Sequence, residues 1–211
     1  MKTYPPIFKK TLILLAKKVV YNLDRLNIGW MMCGGTLLGA VREGKFINHD
    51  YDIDFETVGP NTNLEYDKLL ELISYIRSHP EEGLKVQGNL PYSIKFGPLV
   101  PRKMVHMFKF NRPGVPNPAV DLFITTGTPT GRKLINPSWP TWSYLNEEIW
   151  PLQKLNFEGN LWNAPADPEG IFSRYYGASW RTPIFNEWPL RKKTSSTTAV
   201  PPCQPSASDP S

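Results

Sequence analysis

One stretch of sequence decides the fold: Cys33-Gly-Gly-Thr-Leu-Leu-Gly-Ala-Val-Arg-Glu-Gly-Lys-Phe-Ile-Asn-His-Asp-Tyr-Asp-Ile-Asp-Phe55. Before it, the short apolar run Ile28–Met32 predicts a strand that stops at Gly34–Gly35. Thr36–Arg42 has the pattern of a short helix, and Asp52–Val58 that of a second strand. The order is therefore strand, glycine turn, helix, strand.

The second predicted strand carries a pair of acids. Side chains alternate between the two faces of a strand, so Asp52 and Asp54 project to one side, with Ile53 and Phe55 on the other. Two carboxylates that face one point repel each other unless a cation or a proton intervenes. Hard oxygen ligands at this spacing suit Mg²⁺ or Mn²⁺, which also bind phosphate oxygens.

The glycine turn supplies groups that suit a phosphate. Gly34 and Gly35 allow close approach of the backbone, and Thr36 opens a helix whose N-terminal N–H groups favour an anion. A phosphate bound there would lie beside metal ions held by Asp52 and Asp54. The predicted substrate-binding residues at the turn are therefore Gly34, Gly35 and Thr36.

A third carboxylate is expected from a neighbouring strand. Asp121 is the best candidate because it lies within Ala-Val-Asp-Leu-Phe-Ile, an otherwise apolar strand, where a buried acid is costly unless it is coordinated or paired. Each feature alone is most often structural: a tight turn, a solvated loop or the end of a strand. Their occurrence together, in this order, favours a catalytic site.

The order of these motifs resembles the nucleotidyltransferase fold, and in detail it resembles the LicD family, which includes phosphorylcholine transferases and fukutin-related ribitol-phosphate transferases. The likeness spans roughly residues 10–185. The segments that carry it are Gly34–Arg42, Gly44–Ile47, Asp50–Asp54, Pro151–Gly159, Ala164–Pro168 and Tyr175–Pro183. The family commonly has Pro-Trp-Asp-Asp-Asp where this chain has Asn48-His-Asp-Tyr-Asp52. Tyr51 replaces an acid that would point away from the aspartate pair, and His49 would change substrate contacts.

The resemblance implies a metal-dependent phosphotransferase, a transferase of phosphorus-containing groups. It would move a phospho-alcohol such as phosphocholine or ribitol phosphate from a CDP-alcohol donor to a hydroxyl of a carbohydrate acceptor, releasing CMP. Asp52 and Asp54 would hold one Mg²⁺ or Mn²⁺, and both together with Asp121 a second. Asp121 would also take the acceptor proton, and Asp50 would be an additional ligand.

Two basic residues, one at the end of the predicted short helix and one just after it, are further candidates. Arg42 and Lys45 either neutralise phosphate charge or simply lie in solvent. Two other functions remain open: a nucleotidyltransferase that leaves NMP on a small molecule or protein, and a catalytically silent nucleotide-binding module on the same fold.

The resemblance implies an α+β fold in which helices flank a nucleotidyltransferase-like mixed β-sheet, and the C-terminal half, rich in proline and tryptophan, is expected to be irregular. Residues 1–190 are expected to form a single catalytic domain and residues 191–211 a disordered tail. Helices are predicted over Ile7–Arg25, over 64–78 and from the N-cap Asp167 to Tyr176. Further strands are predicted over 83–87, 92–97, 103–110 and 119–125. Loops are predicted over 113–151, and a hairpin over 153–163. Six of the seven tryptophans lie within residues 139–188, where they either stack on a sugar or pack onto the sheet.

Charge and composition exclude several classes of function. The 211 residues carry a net charge of +5, but the excess lies in residues 1–26 and 190–211, and the segment between them is slightly acidic. This distribution offers no continuous basic groove and argues against a nucleic-acid partner. The two cysteines lie far apart in the sequence, which excludes a disulfide framework. No signal peptide or membrane span is recognised in the sequence, so the expected location is the cytoplasm. The basic first helix either packs on the domain with its lysines in water or contacts an anionic membrane.

Overall fold

The computed structural model describes residues 5–47, 50–59, 62–92, 104–112, 115–127, 133–135 and 142–183. Within these ranges there are five α-helices, ten strands and a short 3₁₀ helix, Pro80–Glu82. The helices are α1 Pro6–Arg25, α2 Gly34–Glu43, α3 Thr62–Ser78, α4 Asn146–Ile149 and α5 Pro168–Tyr176. The strands are β1 Trp30–Met32, β2 Asp52–Thr57, β3 Lys85–Tyr92, β4 Met104–Arg112, β5 Val115–Phe123, β6 Thr126–Gly127, β7 Lys133–Ile135, β8 Ser143–Leu145, β9 Gln153–Phe157 and β10 Asn160–Ala164.

The central element is a five-stranded mixed sheet in the order β1-β2-β5-β4-β3. Strands β2 and β5 run parallel, and the other neighbouring pairs run antiparallel. The register between β2 and β5 sets Asp54 opposite Asp121, and that between β5 and β4 sets Asp121 opposite Lys109. The predicted α+β fold with helices around a mixed sheet is confirmed.

The hydrophobic core follows from alternation along the central strands. Ile53 and Phe55 on β2 and Val120 and Leu122 on β5 are almost completely buried, while the acids between them point to the other face. Helix α1 contacts β2, β4 and β5, and its buried side chains belong to the same core. These are Leu12, Leu15, Ala16, Val19 and Leu23. Because α1 packs on this apolar face, the opposite face of the sheet remains for the carboxylates.

The helix ends follow the chemistry of the sequence. The side chain of Asp167 accepts a hydrogen bond of 2.8 Å from the backbone N–H of Gly170, so the predicted N-cap of α5 is confirmed. Helix α2 begins at Gly34, two residues before its predicted start, and ends at Glu43. It is followed by the C-cap Gly44, whose φ of +67° suits glycine. No helix among the residues described is both long and apolar enough to cross a membrane.

The segment predicted to consist of loops is more regular than its sequence indicates. Strand β5 begins at Val115, and β6, β7 and β8 form a small three-stranded sheet. Strands of two or three residues are too short to leave a periodic apolar pattern, which is why the sequence does not reveal them. The predicted hairpin over 153–163 is confirmed as β9 and β10. Most of the predicted strand over 92–97 and the whole predicted tail over 191–211 lie outside the described residues.

The described tryptophans of the second half divide between core and surface. Trp162 and Trp180 are 3% and 5% exposed, and Trp162 packs against the rings of Trp30 and Phe55. Trp150 is 43% exposed. For Trp162 and Trp180 the structure therefore supports packing rather than contact with a sugar.

Candidate active site

Three aspartates converge on the face of the sheet opposite to α1. Asp52, Asp54 and Asp121 each offer a carboxylate oxygen, and these oxygens lie within 4.8 Å of one another. The parallel pairing of β2 and β5 places Asp54 beside Asp121, and Asp52 lies two residues earlier on the same face. The sequence predicted this convergence from strand alternation and from the unusual acid in an apolar strand.

The two glycines of the turn make room for carboxylates. Gly34 has a φ of +53°, and a Cβ atom at this position would lie 2.9 Å from Oδ2 of Asp54. A Cβ on Gly35 would lie 2.8 Å from Oδ2 of Asp50. A side chain at either position would make the nearby carboxylate shift, and the positive φ of Gly34 also disfavours any other residue there.

The helix after the turn is fixed to the acidic strand by hydrogen bonds. The hydroxyl oxygen of Thr36 accepts a bond of 2.9 Å from the backbone N–H of Asp54, and the backbone N–H of Cys33 donates to the carbonyl of Asp54 at 3.1 Å. Thr36 is 2% exposed, so water does not replace its hydroxyl. Thr36 therefore positions the β2 backbone from which Asp52 and Asp54 project.

Lys109 is a member of the site that sequence reasoning missed. Its ammonium lies 3.2 Å from Oδ2 of Asp121, in the cross-strand position on β4. The other oxygen, Oδ1 of Asp121, is buried and has no hydrogen-bond partner among the described residues. A buried carboxylate oxygen without a hydrogen-bond partner, on an acid that converges with two others, is the arrangement expected of a cation ligand.

Burial raises the pKa of all three aspartates, and repulsion from neighbouring acids raises the pKa of Asp54 and Asp121 further. The pKa of Asp54 is well above its ordinary value, first because the carboxyl is buried and then because Asp52, Asp121 and Asp50 lie nearby. Burial also raises the pKa of Asp52. For Asp121, burial outweighs the favourable charge of Lys109 and raises the pKa to about 6. Without a cation, the cluster therefore holds protons that a divalent ion would displace.

The donor set fits the predicted Mg²⁺ or Mn²⁺. All the converging groups are carboxylate oxygens, which these hard cations prefer, and the buried Oδ1 of Asp121 has no hydrogen-bond partner among the described residues. Asp50 is not one of the three converging residues, because β2 begins only at Asp52 and the alternation does not extend back to it. Asp50 stays a predicted additional ligand.

Arg42 and Lys45 lie at the end of α2 away from the glycine turn. Arg42 is in the last turn of α2, eight residues after Gly34 and so about 12 Å farther along the helix axis. Lys45 is exposed, and its carbonyl oxygen would lie 2.4 Å from a Cβ on Gly39. Their roles in binding substrate stay predictions.

A second buried acid that sequence reasoning missed lies on β2, two residues after Asp54. Glu56 is fully buried, and the hydroxyl of Tyr144 on β8 donates to its Oε2 at 2.6 Å. The indole N–H of Trp142 donates in turn to the Tyr144 hydroxyl. These bonds connect the small sheet to β2.

Cys33, beside the glycines, is buried. Burial, and then repulsion from the nearby acids, raises the pKa of its thiol, so the thiol stays protonated.

Comparison with known structures gives distant similarities. The chain is similar to the crystal structure of ANT(2'')-Ia in complex with adenylyl-2''-tobramycin, with 16% identity and a TM-score of 0.48 over 88% of this chain and 85% of that one. It is also similar to the solution structure of the antibiotic-resistance factor ANT(2'')-Ia, with 15% identity and a TM-score of 0.46 over 82% of this chain and 75% of that one. No curated protein sequence matches the chain.

Comparison with protein families gives a match over most of the chain. Residues 27–167 match the family described as LicD/FKTN/FKRP, nucleotidyltransferase domain. The matched range contains the glycine turn, all three converging aspartates and Lys109. The chain therefore belongs to the LicD family and is a transferase of the phosphotransferase or nucleotidyltransferase type.

Proposed function

We propose that this protein transfers a phospho-alcohol, such as phosphocholine or ribitol phosphate, from a CDP-alcohol donor to a hydroxyl of a carbohydrate acceptor, with release of CMP. The observation that carries the proposal is the convergence of Asp52, Asp54 and Asp121 beside the Gly-Gly turn, in a chain of the LicD family. A diphosphate donor needs a site that neutralises its charge, and this cluster has the ligands for a divalent cation.

In this proposal the three aspartates hold Mg²⁺ or Mn²⁺. When bound, the cation neutralises phosphate charge and stabilises the attacking and leaving oxygens. Thr36 keeps the β2 backbone in place through its bond to the N–H of Asp54. The ammonium of Lys109 holds Oδ2 of Asp121 and leaves Oδ1 to the cation. The Asp121 carboxylate is also proposed to accept the proton of the acceptor hydroxyl.

The proposed substrate contacts rest on position and charge. Gly34, Gly35 and Thr36 form the N-terminus of α2, which favours the donor phosphates, and Arg42 and Lys45 are proposed to add positive charge. A cytoplasmic location, with peripheral membrane contact through the N-terminal helix, belongs to the same proposal. No nucleic acid is expected as a partner.

A panel of donors tests the reaction. The protein is incubated with CDP-choline, CDP-ribitol or CDP-glycerol, a set of glycan acceptors and Mg²⁺ or Mn²⁺, and CMP release is measured. Asp54→Asn should lower turnover by orders of magnitude, while the exposed Asp67→Asn on α3 serves as the matched control. Near-normal CMP release by Asp54→Asn would exclude the metal assignment.

The alternative transferase reaction uses the same site and transfers a different group. The family description as a nucleotidyltransferase domain favours it as the second candidate. A donor labelled in the CMP group separates the two reactions, because free labelled CMP supports phospho-alcohol transfer and label on the acceptor supports NMP transfer. Calorimetry that detects neither Mn²⁺ nor CDP-alcohol binding would indicate a silent module.

A further inference from the structure

Helix α1 exposes a line of apolar side chains to solvent. Ile7, Leu14 and Tyr21 are 70%, 55% and 68% exposed. They recur every seven residues, which at 100° per residue places them within about 40° of one another on the helix surface. We refer to these three residues as the outer stripe.

Positive charge lies beside the outer stripe. Lys10 and Lys17 are exposed, and together with the stripe they lie within about 80° of the helix circumference. Lys18 and Arg25 are also exposed, but they contact the domain through the carbonyl of Glu82 and the ring of Tyr75. The acidic residue of this helix, Asp24, accepts a hydrogen bond of 2.7 Å from the indole N–H of Trp30 in the domain. The outward face of α1 therefore combines apolar side chains with cations.

Packing within the described part of the domain does not account for the stripe. The opposite side of α1 already buries Leu12, Leu15, Val19 and Leu23 in the core. Turning the helix to cover the outer stripe would expose these four residues and cost several kcal/mol. The stripe is thus available to a partner outside the sheet.

We propose that the outward face of α1 lies on the surface of an anionic lipid bilayer. Helices that lie in the membrane interface combine an apolar strip with lysines whose long side chains reach the headgroups. A second copy of the chain fits less well, because two such faces packed together would bring their cations into contact. Nucleic acid would pair with the cations and leave the three apolar side chains without a function.

The orientation that follows keeps the candidate active site accessible. Helix α1 packs on the apolar face of the sheet, and the carboxylates of Asp52, Asp54 and Asp121 project from the opposite face. A bilayer in contact with α1 would therefore leave the acidic cluster facing the aqueous side. This inference deepens the membrane contact included in the proposed function. It concerns binding alone, so it does not depend on the reaction assigned to the cluster.

Vesicle co-sedimentation of the full chain tests the proposal. Vesicles of phosphatidylcholine containing about one-third phosphatidylserine are compared with vesicles of phosphatidylcholine alone. We expect binding only to the anionic vesicles, and weaker binding as salt rises. Lys10→Gln/Lys17→Gln should weaken it by about 25-fold, at about fivefold for each charge, and Leu14→Gln by about tenfold.

Matched controls separate this face from general surface effects. Lys85→Gln removes an exposed charge from β3, and Leu161→Gln removes a leucine that is 70% exposed on the β9–β10 hairpin. Both controls should bind like the unmodified protein. The proposal is overturned by absence of binding to anionic vesicles, by α1 variants that bind as well as the controls, or by a light-scattering dimer that Leu14→Gln abolishes. Sedimentation requires no catalytic activity, so its result is independent of the proposed reaction.

Discussion

Replacing Asp121 with asparagine should stabilise the metal-free protein at neutral pH, although the substitution removes an ion pair. In the folded protein this carboxyl is buried beside two other acids, and Lys109 pairs with only one of its oxygens. Ionisation is therefore harder in the folded state than in the unfolded chain. Asparagine has nearly the same shape and carries no charge, so it removes this cost.

The size of the effect follows from the pKa of Asp121. Burial raises the pKa from 3.8 to about 6, and each unit corresponds to about 1.36 kcal/mol, which gives an upper value of about 3 kcal/mol. This pKa already includes the favourable effect of Lys109. The new amide group needs a hydrogen-bond acceptor, and an unsatisfied one costs about 1 kcal/mol or more. We expect a net gain of about 1 to 2 kcal/mol in the free energy of unfolding.

The sign of the pH dependence is fixed by the direction of the shift. Between about pH 4 and pH 6 the folded protein binds more protons at Asp121 than the unfolded chain does, so this group lowers stability as pH rises through that range. Above pH 6 the full penalty is present. The advantage of Asp121→Asn over the unmodified protein should therefore be largest at pH 7.5. Near pH 4 it should be lost, leaving only the cost of about 1 kcal/mol of the new amide.

Urea unfolding in the presence of EDTA, followed by tryptophan fluorescence at several pH values, measures this difference. Glu147→Gln, which changes an exposed carboxylate, is the control and should match the unmodified protein at each pH. Addition of Mn²⁺ at pH 7.5 should stabilise the unmodified protein and leave Asp121→Asn nearly unchanged. A variant that is less stable than the unmodified protein at pH 7.5 without metal, or a difference independent of pH, would refute the reasoning.

Three substitutions test the structure around the acids. Gly34→Ala should weaken Mn²⁺ binding by tenfold or more in calorimetry. The new Cβ would lie 2.9 Å from Oδ2 of Asp54, and the φ of +53° disfavours alanine. An unchanged dissociation constant would contradict this prediction. Thr36→Val should lower the free energy of unfolding by about 1–3 kcal/mol, since it leaves the N–H of Asp54 without its acceptor. Thr36→Ser should retain most of the stability, and equal losses in both variants would count against the hydrogen bond. Tyr144→Phe removes the hydroxyl that donates to buried Glu56, so it should lower the free energy of unfolding measured in urea by about 1–3 kcal/mol. A loss below about 0.5 kcal/mol would show that this hydrogen bond does not stabilise the fold.

The part of the site that the sequence predicts depends on local rules. Asp52 and Asp54 share a face because alternation holds within any single strand, and Asp121 stands out because a charged residue is rare in an apolar strand. The rule extends only as far as the strand does. Since β2 begins at Asp52, the same reasoning does not place Asp50, whose carboxylate lies near Gly35 instead.

The residues that the sequence does not reveal depend on pairing between distant segments. Lys109 meets Asp121 only because β4 and β5 pair in one register, which changes between Asn111 and Arg112. A slip of one residue would turn Lys109 to the other face, and no local pattern fixes this choice. Tyr144 reaches Glu56 from 88 positions along the chain, on a strand of three residues. The register between distant strands and the position of very short strands therefore cannot be predicted from local sequence patterns.

The charges around the acidic cluster explain why it suits a divalent cation. Ionised Asp52, Asp54 and Asp121 carry three negative charges, and the ammonium of Lys109 offsets one of them. The remaining two match one Mg²⁺ or Mn²⁺, whereas without a cation the raised pKa values show that protons must supply part of this neutralisation. Metal binding should therefore release protons and weaken as pH falls toward 5. Because Lys109 occupies Oδ2 of Asp121, its charge limits the cluster's repulsion while Oδ1 stays available to a ligand.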